Sequence, residues 1–435
     1  MLVRRLARVL MGLGCFVGVL AAQEGPAPRI ALRARADAIH AGALTLDSHV
    51  DIAMGGGDYG VLTPGQKCDL VKMKQGGMKG VFLAAYVGQR QAFDAAAYQA
   101  AFDSAMRQLE FLHALTEKSH PELCAFATTP DDVERIARSG KRAIMTGVEN
   151  GYPVGEDLAN LRTFRDRGAR YVTLTHSGHN QIGDSSSDRN PPKHDGLSSF
   201  GESVVAEMNR LGMMVDVSHV AASTFWDVIR LSKAPIIASH SGCRALNDVD
   251  RNLDDEQLKA LAKNGGVIQI VALGSYLKAE TPERAAAISK LRDELGFGPG
   301  GRGGGGRQGG PGGPPSVQPQ TPEQQAEASK RRAVYRERMS AIDAQFPPAS
   351  LADFGDHIEH AVKVAGIDHV GIGTDFDGGG GFPGFNDHSE APNVTEELVR
   401  RGFSEQDIRK IWGGNLLRVW RAVEREAARE QAARR

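Results

Sequence analysis

Eight short runs rich in apolar and β-branched residues recur along the chain, and this recurrence narrows the possible folds more than any other feature. They are Ala43–Asp51, Gly80–Val87, Arg142–Glu149, Arg170–His176, Met213–His219, Pro235–His240, Gly266–Leu273 and His369–Asp377. Amphipathic stretches lie between them, among them Asp94–Ser119, Ser198–Leu211, Ala221–Leu231 and Asp254–Lys263. A strand that is apolar along its whole length needs cover on both faces, which a parallel sheet flanked by helices supplies. Eight strand–helix units predict an α/β protein of the (β/α)8 TIM-like barrel type. A doubly wound sheet would place a glycine-rich phosphate loop after the first strand. Gly55-Gly56-Gly57 stands there without the G-x-G-x-x-G spacing, and no clear helix follows. Six of the eight runs end in His, Asp or Glu, and barrels of this kind carry their active sites at the C-terminal strand ends.

The remaining features fit one exported globular domain. Of 435 residues, 41% are hydrophobic and 24% charged, an ordinary globular balance. Lys+Arg 52 against Asp+Glu 53 leaves no basic excess to neutralise phosphates, so no nucleic-acid partner is expected. Arg4, Arg5 and Arg8 precede an apolar stretch from Val9 to Leu20, and Ala21-Ala22 then offer a small-residue cleavage site. This predicts a signal peptide over residues 1–22, with Arg4-Arg5 a weak hint of twin-arginine export, and a mature domain over 23–435 in the periplasm or outside the cell. No second apolar stretch of membrane-spanning length follows, so no stable membrane anchor is expected after cleavage. Cys68, Cys124 and Cys243 are odd in number and widely spaced, which argues against a disulfide framework. The connection between the seventh and eighth runs is unusually long. Its centre is glycine-rich: twelve of the 18 residues from Gly296 to Gly313 are glycine. A flexible insertion at about 296–320 is expected, flanked by helices over Pro282–Leu295 and Pro322–Ala344 that form a hairpin.

The strand ends carry the chemistry. His49 and Asp51 are two apart on the first strand, so their side chains share a face and can reach one metal ion. Glu149 ends the third run in G-V-E-N, where a carboxylate can bridge two cations. His219 ends the fifth in V-D-V-S-H, and His240 the sixth in I-I-A-S-H. A lone histidine after a strand is more often structural than a ligand. Five potential ligands on four strand ends of one barrel, however, converge on one mouth. Oxygen and imidazole donors without cysteine suit zinc or a similar divalent ion. Asp375 in G-I-G-T-D-F-D, His176 in T-L-T-H-S and Arg251 in the D-R-N loop complete a hydrolytic set. Metal-assisted hydrolysis needs a carboxylate to manage a proton and a donor for the developing oxyanion, while an arginine fork suits a substrate carboxylate. G-x-S-x-G and H-E-x-x-H are both missing. His179, His194 and His388 lie in mouth-side loops as further candidates for substrate contact. His357 and His360 are expected at the barrel bottom, and His40, His113 and His120 at helix surfaces or ends.

Taken in order, these pieces resemble the renal (membrane) dipeptidase family of binuclear zinc peptidases, family M19. The matching segments are L-D-S-H-V-D, G-V-E-N-G, R-Y-V-T-L-T-H, M-N-R-L-G-M-M-V-D-V-S-H-V, S-H-S, R-N-L-D-D, A-G-I-D-H-V-G-I-G-T-D-F-D-G and G-G-N-L-L-R-V. The resemblance implies a homodimeric barrel with two zinc ions per chain. His49 and Asp51 would bind one, His219 and His240 the other, with Glu149 bridging. It further implies that His176 contacts substrate beside the scissile carbonyl, Arg251 grips its carboxylate, and Asp375 shuttles the proton. Asn150 stands where the family commonly has glycine. The loop after His176 lacks the tryptophan of mammalian members, and the C-terminus lacks the hydrophobic tail of a lipid-anchor signal.

The function expected is therefore an exported zinc dipeptidase acting on small dipeptides, including those with a C-terminal D-residue, through a metal-bridging hydroxide. The competing expectations are a related metal-dependent hydrolase of N-acyl amino acids or lactams, and a binding protein that keeps the metals. Retention of Asp375, His176 and Arg251 together argues against the last.

Overall fold

The computed structural model describes residues 26–55, 57–297 and 322–433. The expected signal peptide (1–22) and nearly all of the glycine-rich tract lie outside the described residues. Among the described residues there are nine strands: β1 Leu46–Asp51, β2 Gly80–Tyr86, β3 Cys124–Phe126, β4 Arg142–Glu149, β5 Ala169–Thr173, β6 Met214–Asp216, β7 Ile237–Ser241, β8 Val267–Val271 and β9 Val370–Gly373. Eight of them follow one another in parallel, in the order β1-β2-β4-β5-β6-β7-β8-β9. The two ends then meet. Asp375 N–H donates to His49 O (2.9 Å) and Asp51 N–H to Phe376 O (3.0 Å), which nearly closes a TIM-like (β/α)8 barrel. The ninth strand, β3, has no counterpart among the eight expected runs. It pairs in parallel with the first residues of β4, and three residues are too few for any periodicity to register.

Each expected run overlaps its strand. Arg142–Glu149 matches residue for residue, β5 starts one residue before its run and β7 ends one residue after its own, and most runs extend past the strand. The overshoot has a physical reason. His176, His219 and Asp375 lie two or three residues past β5, β6 and β9, where the chain bends over the mouth. His219 (φ 68°) and Asp375 (φ 59°) bend in the left-handed region, which non-glycine residues seldom occupy.

The barrel interior and its floor form one apolar cluster. Leu46, Phe82, Met145, Tyr171, Met214, Ile237 and Val267 meet Leu416, Leu417, Trp420 and Val423 of the helix Asn415–Ala433. The Phe82 ring lies 5.6 Å from Trp420 and 5.5 Å from Tyr171, a ladder of rings rising from the floor toward the mouth. A second cluster fills the space between the barrel and its outer helices, for example Val204, Val205 and Met208 of Ser199–Leu211 and Leu258 and Leu261 of Asp255–Lys263. Ser198 and Asp254 cap these helices by accepting from Gly201 N and Gln257 N.

The helical hairpin beyond β8 is present as Pro282–Glu294 and Pro322–Gln345. Arg284 pairs with Asp343 (2.7 Å), Arg338 with Glu294 (2.6 Å), and Phe297 stacks edge-on against Tyr335. Cys68, Cys124 and Cys243 are buried and unpaired. No described helix is long and apolar enough to cross a membrane.

Candidate metal centre

The strand period works as expected at β1. His49 and Asp51 point into the mouth together, with His49 Nε2 3.6 Å from Asp51 Oδ1. Glu149, the last residue of β4, lies opposite and offers one oxygen to each of two groups. Its Oε2 is 3.4 Å from His49 Nε2, while Oε1 is 3.2 Å from His219 Nε2 and 3.4 Å from His240 Nε2. His219 and His240 approach each other at 2.9 Å between their Nε2 atoms. Of three possible ligand groups, two share Glu149, His49–Asp51–Glu149 and Glu149–His219–His240, and the third joins Asp375 to His49 and His240.

These residues fit metal ions on three counts. Tetrahedral zinc with Zn–N of about 2.05 Å places its donor atoms about 3.3 Å apart, and the separations above lie near that value. His49 Nε2 and Asp51 Oδ1, both facing the cluster, are buried without a hydrogen-bond partner. Buried polar atoms are seldom left in that state without a functional reason. Finally, the donors are imidazole and carboxylate only, the set that divalent ions take.

The local charges agree. Burial drives His219 and His240 well below the usual imidazole range, as does the nearby Arg251 guanidinium, so both rings are neutral donors. His49 goes the other way: burial opposes its charge, but the Glu149 and Asp51 carboxylates outweigh it and push the ring well above its usual value. Burial lifts Glu149 to about 7. A pocket that recruits protons to its carboxylates and to His49 is one in which a cation is wanted.

Above this cluster stand the groups that can act on a substrate. A carboxylate oxygen of Asp375 lies within 4.8 Å of ligand nitrogens of His49 and His240. Burial, and then the Asp51 charge, raises its carboxyl well above the normal range. Gly378 makes room for it, since a Cβ there would lie 2.3 Å from Asp375 Oδ1 and 2.9 Å from Asp51 Oδ2. Burial brings His176 down to about 3, leaving a neutral ring whose Nε2 sits 3.7 Å from Glu149 Oε1. Arg251 is buried, donates to His240 O (3.2 Å), and lies 5.2 Å over the Tyr276 ring. All eight residues singled out in the sequence therefore converge on one mouth.

Three aromatic contributors escaped sequence reasoning. Tyr86 ends β2 with its ring 4.8 Å from His176, and Tyr276 supports Arg251. Tyr171 rises from the barrel interior to place Oη 2.9 Å from His49 Nδ1. Tyr86 could have been found: its run is one of the two without a charged end, and a strand-terminal tyrosine offers a hydroxyl at the same level.

The other histidines sort differently than expected. His179 is tied to Ser185 N and Asn190 O, and His194 to Asn180 O, so both staple the loop after His176. His388 is fully buried and pairs with Asp47 at 2.8 Å. His357 is not at the barrel bottom. Its ring bridges Cys243 N and Leu277 O in the loops beyond β7 and β8, on the mouth side, because the helix Leu351–Ala365 runs antiparallel to the strands. His360 reaches Asp255 at the start of the next helix on that side. His40 lies in the last turn of its helix, as expected, but is buried between Thr395 Oγ1 and Gly76 O. Asn150 takes φ 78°, a conformation that glycine or asparagine tolerates, and its side chain ties Val87 O to Tyr152 N.

Comparison with known proteins decides the family. Residues 33–434 match the family described as membrane dipeptidase (Peptidase family M19). The chain belongs to the M19 dipeptidases. Among curated relatives, dipeptidase verJ of Clonostachys rogersoniana is 32% identical over 362 residues, covering 82% of this chain and 76% of that protein. Dipeptidase tcpJ of Claviceps purpurea is 31% identical over 368 residues, covering 83% and 71%. The crystal structure of the probable dipeptidase PvdM from Pseudomonas aeruginosa superposes with a TM-score of 0.75 at 32% identity, covering 91% of this chain and 99% of that one. This M19 protein is thus a peptide-bond hydrolase of the metallo-dipeptidase class, and the clusters around Glu149 are its candidate metal sites.

Proposed function

We propose that this M19 dipeptidase is an exported, homodimeric enzyme with two zinc ions per chain that cleaves small free dipeptides, including those ending in a D-residue. The observation that carries the reading is the division of Glu149, one carboxylate oxygen facing His49 and the other facing His219 and His240. In this assignment His49 and Asp51 would hold one ion, His219 and His240 the other, and Glu149 would contribute to both. When bound, the ions supply Lewis acidity that polarises a carbonyl and makes water acidic enough to attack near neutral pH.

The chain's own residues do the rest. Arg251, braced by Tyr276, presents a planar fork to the free carboxylate of the substrate and thereby places its last peptide bond at the centre. His176, neutral and flanked by Tyr86, donates to the carbonyl oxygen as negative charge develops there. Asp375 takes the proton of the attacking water and returns it to the leaving amine. The apolar leader with Arg4 and Arg5 supports export, and the family resemblance supports both the dimer and the D-residue tolerance.

The test is a panel of L-L, L-D and N-acyl substrates given to the mature protein before and after chelation and zinc return. Cleavage confined to free dipeptides, lost on chelation and restored by zinc, is expected. Turnover of N-acyl amino acids alone, or dipeptide cleavage by a His49→Ala protein at the normal rate, would overturn the reading.

A further inference from the structure

Asp216 closes β6, three residues before His219, and has no part in the chemistry described above. Its carboxylate is fully buried and serves wholly as an acceptor. Oδ1 takes the backbone N–H groups of Ser218 (3.0 Å) and Ser239 (2.8 Å), and Oδ2 takes the hydroxyls of Thr173 (2.5 Å) and Ser239 (2.6 Å). Ser239 Oγ also lies 2.8 Å from His240 Nδ1. A serine hydroxyl has one proton to donate. Because that proton goes to Asp216, Ser239 can only accept from His240. The ring proton of neutral His240 therefore sits on Nδ1, and its Nε2 keeps the lone pair that faces Glu149 and His219.

We propose that Asp216 is a positioning residue that acts through Ser239 to fix the tautomer in which His240 presents a bare Nε2 to the metal. The inference rests on the metal-centre reading of the site. Outer hydrogen bonds that orient a ligand imidazole set both its tautomer and its basicity. Here the outer group is two bonds away, and the direction of its hydrogen bonds cannot reverse. The N–H groups of Ser218 and Ser239 can only donate, so the atom facing them must accept.

That constraint makes Asp216→Asn informative. The amide oxygen must take the place of Oδ1, which turns the NH2 group toward the Thr173 and Ser239 hydroxyls. Ser239 then accepts from Asn and points its own proton at His240 Nδ1. The ring proton is driven to Nε2, where it blocks the metal. The shape of the site is kept while the proton order is inverted.

The experiment uses the whole chain labelled with 15N-histidine, metal-free and above neutral pH, with His240 assigned by difference from His240→Gln. The wild type is expected to show a protonated Nδ1 and a bare Nε2, and Asp216→Asn the reverse. Zinc titration should show roughly 10–100-fold weaker binding in the variant. Thr173→Val removes a donor from the same carboxylate without changing the proton order, and should keep both tautomer and affinity. The proposal is overturned if Asp216→Asn keeps the Nδ1 proton and wild-type zinc affinity, or if Thr173→Val weakens zinc equally. Should Asp216→Asn fail to fold, Ser239→Ala decides: a mixture of tautomers supports the relay, and a pure Nδ1–H ring overturns it. A wild type that binds no zinc would fall on the metal reading instead, while the nitrogen signals still judge the relay.

Discussion

At the scale of single residues, the centre depends on backbone conformations and close approaches that resist substitution. A left-handed φ at a residue such as His219 or Asp375 costs on the order of 1–3 kcal/mol and persists only where neighbours over-determine it. They do so here: Asp375 O accepts from the N–H groups of Gly379 (2.9 Å) and Gly380 (2.7 Å), and His219 O from Ser186 N (2.9 Å) and Thr175 Oγ1 (3.1 Å). Asp375→Asn keeps this geometry but removes the proton acceptor. It should lower kcat by about 10²–10⁴, the range for a general acid–base group, with zinc content unchanged, and full turnover by this variant would contradict the assigned role. Gly147 shows the other kind of constraint. A Cβ there would lie 2.3 Å from the Tyr171 ring, the ring whose hydroxyl touches His49. Gly147→Ala should destabilise the protein by about 1–3 kcal/mol through overpacking, measured by urea denaturation, and weaken zinc binding through His49.

At the scale of elements, the helix Asn415–Ala433 supports the centre from below by closing the barrel floor. Trp420 stands at the foot of the ring ladder and is buried. Truncating it to alanine should cost about 3–5 kcal/mol, as for other large buried aromatics, read as a lower denaturation midpoint. Helix packing also makes stability pH-dependent. His40, in the helix Pro26–Gly42, and His357, in Leu351–Ala365, are both held below the usual imidazole value of 6.5, chiefly by burial. Each uses one ring nitrogen as an acceptor: His357 Nδ1 takes Cys243 N–H, and His40 Nδ1 faces Thr395 Oγ1, whose other partner is Trp412 Nε1–H. With folded values below the unfolded one, the unfolded state binds protons first as pH falls. The contribution is complete above about pH 6.5 and is lost progressively below it. The denaturation midpoint should drop between pH 7 and pH 5, and the drop should be smaller in His40→Gln, whose amide can keep both hydrogen bonds. An equal drop in that variant would remove His40 from the account.

At the scale of the whole molecule, the metal sites join parts of the chain that no local segment connects. Their ligands come from β1, β4, the turn after β6, and β7. An ion that binds only the folded barrel stabilises it by about 4 kcal/mol when its free concentration is a thousand times Kd. Chelation should therefore lower the thermal midpoint by several degrees, and zinc return should restore it. A midpoint indifferent to both would mean that the clusters around Glu149 do not bind metal in the folded state.

Much of this protein was legible because the relevant physics is local. Period-two alternation puts His49 and Asp51 on one face wherever β1 ends up, and eight apolar runs need a sheet covered on both sides. A polar residue that ends such a run must lie at the rim. Beyond that, sequence treats unlike residues alike. His176, at the end of a run, and His179, His194 and His388, in loops, all read as histidines at the mouth that could touch substrate, yet one faces Glu149 and the other three hold loops and Asp47 together. β3, the Tyr276 support for Arg251 and the ascent of Tyr171 to His49 exist only once distant segments pack. The direction of the hydrogen bonds from Asp216 to His240 is of the same kind. It follows from which donors surround a buried carboxylate, and only the closed barrel brings β5, β6 and β7 together to decide it.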